Sequence, residues 1–288
     1  MTSVTADVAT KTVTPKPRAQ FLRVLNAEIA ACRMSLDQRV LIVGGSAEDE
    51  NVLRQAGFKD IVNSNLPTDM DRLAAGESSG AQHLALDAEQ IDLPDESFDL
   101  VFASEVLHHC SSPHRALCEM LRVSRKYVLF MEPNDSLAMA LLVRMGFSFP
   151  YELPAVIDHD YRSGGVRDSH IPNFLYRWNG HEVFKTVSSY IPERVFSVRA
   201  RPYWDFSVTK KDLDLRKETR IGSITSVMGT GNFILLLRFA QLCLNRIPGF
   251  RGQGNKFFCC IEKDEGLKPW MAREGGEIVF NRKFGHQQ

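Results

Sequence analysis

The densest group of potential acid, base and ligand side chains in this 288-residue sequence is His108, His109, Cys110, His114 and Cys118. Imidazole titrates near neutral pH, so a histidine here could take a proton from an attacking hydroxyl, with His109 placed nearer the reacting atoms than His108. As a metal set the same group is less convincing. Adjacent histidines are expected to project in different directions, and His114 and Cys118 fall on a helix, so no preformed tetrahedral site and no metal requirement are expected. Further polar candidates follow short apolar runs: Gly44 and Gly45, Asn65, Asp87 with Ala88, Glu105, and Glu132. Glu132, before Pro133, reads as an acceptor for backbone N–H groups. Asp95, Glu96 and Asp99 read as solvated turn charges, and Asp158 to Tyr161 as polar loop surface.

These residues need elements to hold them. Phe21, Leu22, Leu25, Ile29 and Cys32 recur at helical spacing between Gln20 and Met34, predicting an amphipathic helix. Arg39–Gly45 (RVLIVGG) has the β-branched, nearly continuous apolar character of a strand buried on both faces. A helix from about Glu48 to Gln55 stops at Gly57, and strands follow at Asp60–Leu66, Gln82–Leu86 and Ser97–Ser104. Ser112 and Pro113 open a helix whose apolar face is Ala116, Leu117, Met120 and Leu121, and Lys126–Met131 is the fifth strand. A polar crossover spans residues 67 to 80. Arg194–Trp204 and Asn255–Glu262 are two more strands, separated by a mostly helical insert.

The alternation predicts an α/β, Rossmann-like, doubly wound and mostly parallel seven-stranded sheet with helices on both faces, plus a helical lid and a C-terminal insert. In such a sheet the ligand lies outside the carboxyl ends of the strands, where the candidates above fall. The expected division is a flexible tail (1–19), an N-terminal helix with the cofactor-binding core (20–133), a lid or substrate cap (134–190) with a loop around Gly164 and Gly165, and C-terminal strands with their insert (191–288) completing the same domain.

Residues 84–133, LALDAEQIDLPDESFDLVFASEVLHHCSSPHRALCEMLRVSRKYVLFMEP, carry the most specific signal. This stretch resembles the type 11 class I S-adenosylmethionine-dependent methyltransferase core, in its D-A-E segment, its L-P and D-E-S-F-D, its E-V-L-H-H strand end and its R-A-L-x-E-M-x-R-V helix. The resemblance implies S-adenosylmethionine as cofactor, its methionine and sulfonium near Gly44 and Gly45, its ribose near Asn65, and its adenine near Asp87 and Ala88, with Glu105 closing strand four on the same face. Two departures stand out. The expected G-x-G-x-G is Gly44, Gly45, Ser46, Ala47, Glu48, and an uncharged Asn65 replaces the acidic ribose ligand. The implied reaction is methyl transfer to a small-molecule acceptor, and the histidines favour an oxygen nucleophile.

Two rival readings stay open: a cofactor-binding but inactive partner of another enzyme, suggested by the same departures, and a nicotinamide-dependent oxidoreductase, which lacks its G-x-G-x-x-G here. Lysine plus arginine equals aspartate plus glutamate at 35 each, so no global positive field attracts nucleic acid or anionic lipid. No eighteen-residue apolar run predicts a transmembrane segment, and the first seventeen residues lack a signal-peptide core, so a cytoplasmic location is expected. The six cysteines include no C-x-x-C pair and read as reduced thiols. Phe233 to Leu237 reads as packing or a subunit interface, so a homodimer through the insert is a further expectation.

Overall fold

The computed structural model describes residues 19–67, 82–152 and 172–284. The expected tail before Ala19, the crossover from 68 to 80, and the lid loop from 153 to 171 with Asp158–Tyr161 and Gly164–Gly165 lie outside the described residues.

The apolar runs form one seven-stranded sheet. Its strands are β1 (Val40–Val43), β2 (Ile61–Asn65), β3 (Gln82–Ala85), β4 (Phe98–Ser104), β5 (Ser124–Pro133), β6 (Arg194–Tyr203) and β7 (Lys256–Leu267), in spatial order β3-β2-β1-β4-β5-β7-β6. The first five are parallel and β7 runs antiparallel to both β5 and β6, so the expected mostly parallel, doubly wound sheet is present.

Period-two alternation divides the side chains between two cores. Val40, Ile42, Leu100, Phe102, Leu129 and Phe258 pack under α1 (Ala19–Cys32) and α2 (Ala47–Ala56), against Phe21, Leu25, Val52 and Leu53. Leu41, Val43, Val101, Ala103, Phe130 and Cys259 face the other way, toward Ala116, Leu117 and Met120 of α3 (Pro113–Val123) and Val183 and Val187 of α5 (Gly180–Tyr190). Strands buried on both faces explain why their sequences read as continuous apolar runs rather than alternating ones.

Beyond β5, α4 (Leu137–Arg144) begins a more open region. The insert is helical as expected, with α6 (Lys210–Asp214), α7 (Arg220–Met228), α8 (Thr230–Arg246) and α9 (Pro248–Arg251). It leaves β6 at Tyr203 and returns at Lys256, and Lys256 pairs with both Tyr203 and Pro133. The insert therefore springs from the edge of the sheet where β5 ends.

Two local expectations change. Ser112 precedes α3, but its side chain makes no capping bond; the Glu89 carboxylate instead accepts from the backbone N–H groups of Ser111 and Ser112 at 2.7 and 3.0 Å. A hairpin of β8 (Met271–Glu274) and β9 (Glu277–Phe280) was not anticipated, although its signal is legible. Gly275 and Gly276 both take positive φ, 60° and 92°, as a two-residue hairpin turn requires.

Candidate active site

The order of the strands reverses between β1 and β4, and the site is built where these two diverge. Gly44 follows β1 with φ 61°, and a Cβ there would lie 2.6 Å from Val106 Cγ1, so only glycine fits this turn. Gly45 has a different task from the one expected beside a ligand. It is buried, a Cβ would fall 2.2 Å from Asn63 Oδ1 and 2.4 Å from Ile42 Cγ2, and its N–H donates to the Ser64 carbonyl at 2.9 Å. Its missing side chain lets β1 close on β2. Ser46 then caps α2 in a capping box, accepting from Asp49 N–H while the Asp49 carboxylate accepts from Ser46 N–H. The departure from the glycine pattern thus serves as a helix start.

A cleft of about 440 Å³ opens at this point. Of the residues singled out in the sequence, Gly44, Asn65, Asp87, Ala88, Glu105 and His109 line it, whereas Gly45 and His108 do not. Leu66, Leu86, Glu89, Gln90, Val106, Cys110, Ser111 and Arg115 complete the wall. Most are chain neighbours of the anticipated positions, while Arg115 enters from the first turn of α3, which strand-end reasoning does not reach. Asn65 Nδ2 donates to the Gly45 carbonyl at 3.3 Å and its Oδ1 accepts from Leu66 N–H at 2.9 Å, leaving one further bond available to each amide atom. Asp87 is exposed, with Oδ1 accepting from Glu89 N–H at 2.8 Å. Glu105 takes a left-handed φ of 57°, unusual for a residue with a side chain, and is ion-paired with Lys256. Burial first, then the Glu89 carboxylate, pushes the Cys110 thiol up to about 12, so it stays protonated and is not a nucleophile.

The left-handed turn at Glu105 brings the next residues over the end of β5. Glu132 Oε1 accepts from Val106 N–H at 2.8 Å and from Leu107 N–H at 2.7 Å, as its expected role required. Its Oε2 lies 2.6 Å from His108 Nδ1, both side chains being fully buried. His108 Nε2 faces Glu152 Oε1 at 3.3 Å. Burial opposes an imidazolium at His108, but the charge and hydrogen bond of Glu132, joined by Glu152, outweigh it and raise its pKa to about 9. His108 is therefore a charged tie holding the turn rather than a free base.

His109 behaves oppositely. Its ring is 4.2 Å from that of His108, so the two do not diverge as expected. Burial, with the positive charge of His108, lowers its pKa despite the Glu152 carboxylate, so it is neutral at physiological pH. Its Nδ1 is 3.2 Å from the Pro172 carbonyl, an acceptor only, which places the proton on Nδ1 and leaves Nε2 as the basic nitrogen. Glu152 Oε2 lies 3.5 Å from that Nε2, positioned to stabilise an imidazolium once formed.

The five-residue group read from the sequence separates in space. His114 pairs with Glu182 at 3.1 Å and packs on Trp178, next to α5. The residues that could instead share a cation are His108, His109 and Glu152, whose ligand atoms lie within 4.8 Å of one another; Glu28, Cys32 and Cys260 form a second such group among the described residues. The grouping of His108 and His109 with Glu152 comes from the fold and is not the five-residue set read from the sequence.

In an open doubly wound sheet, a cleft at the switch point is where a ligand binds. Residues 42–130 match the family model described as "Methyltransferase domain". All of the cleft-lining residues fall within it, whereas Glu132, Glu152 and Pro172 lie beyond it. Among solved structures, the chain is similar to the YcgJ protein of Bacillus subtilis, with TM-score 0.51 and 16% identity over 85% of this chain and 99% of that one. It also resembles a SAM-dependent methyltransferase of Thermotoga maritima, a possible histamine N-methyltransferase (TM-score 0.45, 12% identity, 86% of this chain and 92% of that one). A third is the plantazolicin methyltransferase BpumL in complex with triazolic desmethylPZN analog and SAH (TM-score 0.49, 12% identity, 88% and 87% of the two chains). No curated protein matches the chain in sequence.

Proposed function

We propose that the chain transfers a methyl group from S-adenosylmethionine to a small-molecule acceptor through an oxygen nucleophile, with His109 as the proton acceptor. The observation that carries this reading is a neutral histidine on the cleft wall whose Nδ1 is tied to a carbonyl, leaving an unprotonated Nε2 that has the Glu152 carboxylate beside it at 3.5 Å. The donor set fits the cofactor. Gly44 allows backbone approach, the Asn65 amide can serve ribose hydroxyls, and Leu66, Leu86, Ala88 and Val106 give apolar walls. Asp87, Glu89 and Glu105 add carboxylates to the wall, of which Glu105 is ion-paired with Lys256.

When bound, S-adenosylmethionine supplies an electrophilic methyl group, so the protein need form no covalent intermediate. The chain's own work is to hold acceptor and donor in line, exclude water, and remove the acceptor's proton. His109 Nε2 receives that proton and Glu152 stabilises the resulting imidazolium. His108, held between Glu132 and Glu152, keeps the turn in place and keeps His109 deprotonated.

S-Adenosylhomocysteine is expected to bind with one-site stoichiometry. Asp87→Ala should weaken binding about tenfold or more by removing a charged acceptor from an exposed position that packs against little else. Calorimetry checks this; parental affinity in the variant would move the adenosine away from Asp87. Gly45→Val is a poorer probe, because it disturbs β2 before it meets a ligand.

Catalysis is expected to survive exhaustive chelation. Loss of turnover restored by added zinc would reassign His108, His109 and Glu152 to a cation and remove His109 as the base.

A further inference from the structure

We infer that the helical insert is a docking surface for an anionic lipid bilayer. Its exposed side is apolar to an unusual degree. On α8, Leu235, Phe239 and Leu242 are exposed at 67%, 65% and 51%, and Arg246, one turn further on, shares their face. Val227 at the end of α7 and Phe250 on α9 are exposed as well. Phe233, in contrast, packs inward, so the segment expected to serve as packing or a subunit interface is divided between core and surface.

Charge selects the occupant. The sequence is neutral overall, and the acidic residues of the insert, Asp205, Asp212, Asp214 and Glu218, all fall before α7; from Thr219 to Asn255 there is none, while Arg220, Arg238, Arg246 and Arg251 are spread through α7, α8 and α9. A second copy of the chain would set these arginines against their own kind, which disfavours self-association. An anionic surface meets both the charge and the apolar side chains, as in helices that lie in a membrane interface. Beside α8 a hollow of about 310 Å³, lined by Arg201, Asn245, Arg246, Pro248, Arg251 and Gly252 among others, could receive an anionic headgroup.

The geometry favours lying on the bilayer over crossing it. No single described helix is long and apolar enough to cross a membrane. Together α7 and α8 have the length and composition, but they are bent by 109° at Gly229. Because the insert springs from the edge where β5 ends, docking would hold the carboxyl side of the sheet toward the membrane.

The test is flotation of the full chain with phosphatidylcholine vesicles, with and without phosphatidylglycerol. Binding is expected to the anionic vesicles and to fall about tenfold or more at high salt. The triple variant Leu235→Gln, Phe239→Gln, Leu242→Gln should lose binding at least tenfold, and Arg238→Ser with Arg246→Ser should lose mainly the preference for phosphatidylglycerol. All five side chains are surface residues outside the cleft, so S-adenosylhomocysteine binding should persist in the variants and certify that they are folded. That control also separates this inference from the proposed activity. Failure of the parent to bind anionic vesicles overturns the inference, as does equal binding by the triple variant. A dimer in light scattering that the triple variant abolishes, without vesicle binding, would make the patch an interface between copies instead.

Discussion

His109→Ala should lower kcat by about a hundredfold or more while leaving S-adenosylhomocysteine affinity nearly unchanged, the signature of a lost positioned base. The pH profile gives the sharper result. A base works only when deprotonated, and the pKa of His109 lies below the ordinary imidazole value of 6.5, so the parent should be fully active at neutral pH and decline only as pH falls below that range. Replacing His108 with glutamine removes a positive charge whose ring stands 4.2 Å from that of His109. That variant should keep most of its rate at high pH while its acid limb moves upward, because the imidazolium of His109 is no longer repelled. Single-turnover kinetics of both variants across pH, with an identified acceptor, make the measurement. Parental rate and profile in His109→Ala would leave proximity and orientation as the sources of catalysis.

Glu132→Ala should destabilise the protein by about 3–5 kcal/mol, the usual cost of removing one partner from a buried ion pair. Three groups lose their acceptor at once: the N–H groups of Val106 and Leu107, and the Nδ1 of His108. Chemical denaturation supplies the number. Glu132→Gln keeps an oxygen for the backbone but no charge opposite His108, so it should cost less, and its deficit should depend on pH. Because the pKa of His108 is raised in the folded state to about 9, the stabilisation from its charge is complete below about 6.5 and lost as pH rises through 9. The gap between parent and Glu132→Gln should therefore be widest near pH 6 and narrow above 9. A gap independent of pH would mean that His108 is neutral when folded.

The two variants act on different parts of one construction. Glu132 and His108 hold the turn after β4 from beneath, and His109 works at its surface. A change at Glu132 should lower activity together with stability, whereas a change at His109 should lower activity alone.

Much of this protein could be read from the chain. All seven strands of the main sheet were anticipated, but only the central ones, such as β1, β4, β5 and β7, read as short apolar runs, since a strand covered on both faces needs apolar side chains at nearly every position. The edge strands β3 and β6 keep polar, half-exposed positions. The strand ends marked Gly44, Asn65, Asp87, Glu105 and His109 as cleft residues. Local sequence could not divide the roles of neighbours. Gly44 faces the cleft while Gly45 packs on Asn63, and His109 is neutral while His108 is charged, because each depends on groups distant in sequence: Asn63, Glu132, Glu152 and Pro172. Composition also concealed which surface the insert presents. A balanced total of charges says nothing about where they gather, and apolar residues at helical spacing look the same whether they face a core or solvent. Only the folded chain, by burying Phe233 and exposing Leu235, Phe239 and Leu242, decides which of these side chains still lack an apolar partner.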